Sequence, residues 1–75
     1  MQPYRNLSGT SGVAAYEVAG QAIAVQFHDG AIYVYTWNSA GRRHVEQMKR
    51  LAAAGLGLGT YIVRHARNAY DSKFN

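Results

Sequence analysis

The sequence has no cysteine, only four carboxylates, and no apolar run long enough to cross a membrane. Without cysteine, neither a disulfide nor a thiolate metal site can brace the fold, so side-chain packing must do so. That absence suits a cytoplasmic protein. The opening residues show no charged region leading into an apolar run, so no secretion signal is expected. The most apolar stretch, Leu51 to Leu58, is too short and too rich in glycine to span a bilayer, and no membrane partner is expected. The carboxylates Glu17, Asp29, Glu46 and Asp71 are scattered, and no Ser-His-Asp order suggests an oriented nucleophile. Asp29 reads as a turn former and Glu46 as a helix-surface partner. The chain is therefore read as non-catalytic, with no cofactor implied.

What is present is basic and unevenly placed. The 75 residues carry a formal net charge of +4. Beyond residue 41 lie Arg42, Arg43, Lys49, Arg50, Arg64, Arg67 and Lys73, whereas the first half sets Arg5 against Glu17 and Asp29. An excess confined to one half points to an anionic partner, RNA or another polyanion, although a solvated helix surface has the same composition. A chain of this length is one domain that buries about 60% of its unfolded surface, so its core is small.

Residues 1–12 are polar, with the flexible run Ser8-Gly9-Thr10-Ser11-Gly12, and are read as a loose arm. Only Tyr4 and Leu7 there are suited to docking on a core. Residues 13–75 form the domain. Three apolar runs, Val13 to Val18, Ala22 to Phe27 and Ala31 to Trp37, are separated by Ala19-Gly20 and by His28-Asp29-Gly30. Such short connections make antiparallel neighbours in the order 1-2-3. A two-residue Asp29-Gly30 turn would pair Phe27 with Ile32. A three-residue turn with Gly30 left-handed pairs Phe27 with Ala31, Val25 with Tyr33 and Ile23 with Tyr35. The second register is expected, because it gathers Tyr16, Ile23, Val25, Phe27, Tyr33 and Tyr35 on one face.

From Asn38 or Ser39, each a suitable N-cap, helical spacing takes over. Val45, Met48, Leu51 and Ala52 form the apolar stripe, Glu46 and Arg50 an i,i+4 pair, and Gly55 the C-terminal stop. A second helix is expected from Thr60, with Ile62, Ala66, Ala69 and Tyr70 inward and Arg64 and Arg67 outward. The expected fold is thus α+β, a three-stranded antiparallel meander followed by two helices packed on one face.

The pattern Ile23-x-Val25-x-Phe27-x-x-Gly30-x-x-Tyr33-x-Tyr35, followed by Gly59-x-Tyr61-Ile62-x-Arg64-x-x-Arg67-x-x-Tyr70, resembles the KTSC domain across residues 11–70. That family of small bacterial domains is named for its occurrence at the C-terminus of some lysyl-tRNA synthetases, and it also occurs free-standing. Its hallmark Tyr-x-Tyr is matched by Tyr33-Val34-Tyr35. The resemblance implies RNA binding through the synthetase association. Trp37-Asn38-Ser39 replaces the family's Val-Pro, Gly57 a serine, Val63 an asparagine and Ala66 an isoleucine. A polar role for that serine or asparagine is therefore not implied here.

Each candidate site has two readings. Tyr33, Tyr35 and Trp37 have the spacing of a base-stacking strand, but in so small a protein they are better read as core. Gly55-Leu56-Gly57-Leu58-Gly59-Thr60 lacks the lysine of a phosphate loop and follows a helix. Its amides at Gly59 and Thr60, beside Arg64 and Arg67, are suited to holding an anion, or the segment is a plain linker. His28, His44 and His65 fall in a turn and two different helices, none at i,i+4 spacing, so no metal is expected. The uncharged third strand reads as an edge that a helix, the arm or another chain must cover. With Ile32 and Val34 beside Ala22 and Ala24 on the far face, a homodimer or protein partner through the sheet is the alternative function. The leading expectation is a nucleic-acid-binding module in which Arg64 and Arg67, with Arg42, Arg43, Lys49 and Arg50, contact phosphates.

Overall fold

Alternating apolar residues punctuated by tight turns build the centre of the protein, as the computed structural model of residues 1–75 describes it. In chain order the elements are β1 (Gln2–Pro3), β2 (Val13–Ala19), β3 (Ala22–Phe27), β4 (Ile32–Thr36), α1 (Trp37–Ala40), α2 (Arg42–Ala54), α3 (Leu58–Tyr61) and β5 (Ser72–Phe74). A π-helical segment, Ile62–Ala66, continues α3. The strands form one antiparallel sheet in the order β1-β2-β3-β4-β5. The fold is α+β, as expected, but with five strands and three helices instead of three and two.

The central register follows the three-residue turn. Val25 lies opposite Tyr33 and Ile23 opposite Tyr35. Phe27 N donates to Ala31 O at 2.9 Å, and Gly30 adopts φ +94°, a value that costs a side-chain-bearing residue about 1–2 kcal/mol. Asp29 Oδ1 closes the turn by accepting from Ala31 N at 2.9 Å. Tyr16, Ile23, Val25 and Tyr35 consequently share a face, which buries them against Val45, Met48 and Ala52 of α2 and Leu58, Ile62 and Ala66 beyond it.

The third strand of the sequence reading is not an edge. Ile32, Tyr33 and Val34 pair with Phe74, Lys73 and Ser72, so this chain's own β5 covers the first three residues of β4. Around that seam the Tyr33 ring meets Tyr70 edge-on at 5.1 Å, with Lys73 Nζ 5.3 Å from the Tyr33 centroid.

The segment read as a loose arm contributes to the fold. Gln2 and Pro3 pair with Tyr16 and Ala15, a position that tolerates proline because it is an outer strand. A bulge at Ala14 frees its carbonyl to accept from Tyr4 N at 3.0 Å. The Tyr4 ring enters the core, and its hydroxyl accepts from Leu58 N at 3.2 Å. Leu7, the other docking candidate, keeps an exposed side chain, while its amide donates to Gly55 O at 2.8 Å.

The first expected helix is two. Thr36, not Asn38 or Ser39, caps α1 through a capping box with Ser39, and Gly41 at φ +92° separates α1 from α2. Gly55 ends α2 at φ +74°, as the sequence suggests. A Cβ there would lie 2.6 Å from Arg5 Cβ, so glycine is required twice over, by conformation and by the crossing arm. The last helix starts at Leu58 behind a left-handed Gly57, ahead of the expected cap Thr60.

Candidate nucleic-acid interface

The amphipathic pattern of α2 sets the basic residues apart from the core. Val45, Met48 and Ala52 point inward, which turns Arg42, Arg43 and Arg50 to solvent. With Glu46, these three arginines line a hollow of about 550 Å³. Arg42 lies over the Trp37 ring at 4.7 Å, so a flat apolar surface holds the charge in place. Arg50 Nη1 donates to Gln47 Oε1 at 2.9 Å.

Lys49 does not join that group. Its Nζ lies 2.9 Å from Glu46 Oε2 and donates to Gly20 O at 2.9 Å. The i,i+3 partner Lys49 therefore takes the carboxylate that the sequence reading assigned to Arg50. Trp37 Nε1 donates to the same oxygen at 3.1 Å. The hydrogen bond from Lys49, and then that from Trp37, hold the Glu46 carboxyl below the usual carboxylate range.

Arg64 and Arg67, expected to project together, line different hollows. Arg64 borders one of about 420 Å³ with Ser8, Thr10, Ser11, Gly59 and Thr60. Arg67 borders a smaller one of about 230 Å³ with Asp29, Phe27 and Tyr33. The π-helical winding of Ile62–Ala66 is the physical reason, because a wider turn spreads positions three apart further around the axis. Thr60 is not a cap, and the first amide of the helix, Leu58 N, is already bound by Tyr4. The aromatic strand is mostly core. Tyr35 is buried, which pushes its phenol up to about 12 with help from Tyr33 and Tyr70, while Tyr33 and Trp37 are half-buried.

The structure also assembles a cluster that sequence spacing did not reveal. His44 of α2 stacks on His65 of the π-helical segment, with ring centroids 5.8 Å apart and an interplanar angle of 21°. Tyr61 stands 4.6 Å from His65 and bonds His44 Nδ1 through its hydroxyl at 2.7 Å. These rings share a hollow of about 550 Å³ with Arg43, Gln47 and Arg50, so the basic surface of α2 runs on into them. The available signal was the i,i+4 spacing of Tyr61 and His65, and it pointed to no partner across the helix pair. His28 remains apart in the β3–β4 turn.

Nowhere do three or more histidine, aspartate or glutamate side chains gather as a metal site would require. No helix is long and apolar enough to cross a membrane. Comparison of the chain with protein-family models, curated proteins and solved structures finds no match.

Proposed function

We propose that this chain is a KTSC-like, non-catalytic module that binds nucleic acid, RNA in preference to DNA, by contacting phosphates along α2. One observation carries the reading. No arginine is paired with a carboxylate, since the only ion pairs involve Lys49 and the N-terminal amine. Arg42, Arg43 and Arg50 therefore outnumber the one carboxylate of their hollow, Glu46, which Lys49 and Trp37 already hold. Arginine suits this role because its planar fork meets phosphate oxygens in pairs. Arg64 and Arg67 then belong to separate, secondary contacts.

The test is binding of a short single-stranded RNA, and of the DNA of the same sequence, across a salt series. Three phosphate contacts on a single strand predict a log K against log salt slope near −2. Replacing Arg42, Arg43 and Arg50 with alanine flattens that slope towards zero without changing base preference, whereas Lys49→Ala alters it little. Absence of binding at low salt would refute the proposal. The alternative, a protein contact through the sheet, draws on the uncovered face that carries Ala15, Ala24, Ile32 and Val34 beside the exposed Phe74. Self-association abolished by Ile32→Lys in a folded protein would favour it.

A further inference from the structure

Deepening the α2 reading, on which it rests, we propose that His44, Tyr61 and His65 form with Arg43 and Arg50 a phosphodiester site that takes up protons as it binds, so that affinity rises as pH falls through the imidazole range. Every charged or titratable group around the hollow is cationic or able to become so, apart from the Tyr61 phenol. From α2 come Arg43, His44 and Arg50 with the uncharged Gln47; α3 supplies Tyr61, and the π-helical segment His65. No carboxylate lines it. The nearest, Glu46, borders the neighbouring hollow and is held by Lys49 and Trp37.

The hydrogen bond at His44 accommodates both protonation states. A neutral ring accepts the Tyr61 hydroxyl proton at Nδ1 and carries its own proton on Nε2. A protonated ring donates from Nδ1 to the phenol oxygen and still donates from Nε2. The 2.7 Å contact thus survives proton uptake, and Nε2 carries a proton in both states. In the empty site, however, charge on His44 opposes charge on His65 across 5.8 Å and faces two guanidinium groups as well. A bound phosphodiester relieves that repulsion. Proton uptake and anion binding therefore favour each other, and linkage makes the effect reciprocal.

Oligouridylate is the probe, because its phosphodiesters and uracil rings keep their charge between about pH 5.5 and about pH 7.5, the span over which imidazole changes its own. At low salt its affinity for the unmodified protein is expected to be at least about tenfold higher at the lower pH, with a salt slope steeper by about 1. In parallel, the ring protons of His44 and His65, followed by NMR, titrate at higher pH when the probe is present, while those of His28 do not move. The double variant His44→Gln/His65→Gln loses the pH dependence, and His28→Gln keeps it. Binding that is equally tight at both pH values, or histidine titrations unmoved by the probe, overturns this inference and leaves the α2 reading standing. No binding at any pH overturns both. The NMR arm needs no variant, so the test survives a double variant that fails to fold.

Discussion

Replacing Tyr4 measures how firmly residues 1–12 belong to the domain. The ring is 6% exposed, and its hydroxyl accepts from the amide of Leu58, a residue that is 0% exposed. Tyr4→Phe keeps the ring and strands that buried amide, which costs about 1–3 kcal/mol. Tyr4→Ala also empties the ring's place, raising the expected loss to about 3–5 kcal/mol. At the usual stability per residue, a chain of 75 residues has about 4–11 kcal/mol in all, so the alanine variant is near unfolding. Urea denaturation reads both values, and in a thermal scan each kcal/mol lowers the midpoint by about 4–8 °C. Leu7→Ala, at a 63% exposed position in the same segment, should stay within about 0.5 kcal/mol of the parent. Unchanged midpoints for both Tyr4 variants would refute the reasoning and restore a loose arm.

Two other perturbations test the core and the turns. Tyr35 has its phenol pushed up to about 12 from an ordinary 10.0. Above pH 10 the unfolded chain loses this proton first, so stability should fall as pH climbs towards 12, and Tyr35→Phe should remove that part of the slope in alkaline denaturation. Gly30→Ala meets open space and bears only the positive-φ cost of about 1–2 kcal/mol. Gly55→Ala adds a 2.6 Å clash with Arg5 Cβ, so it should destabilise by more in the same urea assay.

The meander was legible because two local signals agreed. The alternation of Ile23, Val25 and Phe27 chose a face, and His28-Asp29-Gly30 chose the register. The outer strands gave no comparable signal. Gln2–Pro3 and Ser72–Phe74 are too short for alternation to register, and they are strands only because β2 and β4 offer edges to pair with. The break at Gly41 was hidden by competition among good caps, in which Thr36 prevailed over Asn38 and Ser39 through its reciprocal bonds with Ser39. At the candidate interface, charge placement marked the arginines but could not say which were already engaged. Lys49 and Arg50 both fall on the wet face of the sequence reading, yet Gly20 and Glu46 hold only Lys49. The His44–His65 contact depends on how two helices meet, which no spacing within either helix encodes.

The position of β5 has a kinetic consequence. Its partner β4 lies near the middle of the chain, and all the helices intervene before Ser72–Phe74 can join the sheet. That pairing is non-local and gives little return until the intervening loop has been ordered. Any folding intermediate that holds the β2–β4 hairpins but not β5 displays Ile32-Tyr33-Val34-Tyr35-Thr36, an uncharged ribbon ready to template an identical ribbon from another molecule. The hazard of fibril seeding is therefore raised along the refolding pathway, and it should grow with protein concentration during renaturation.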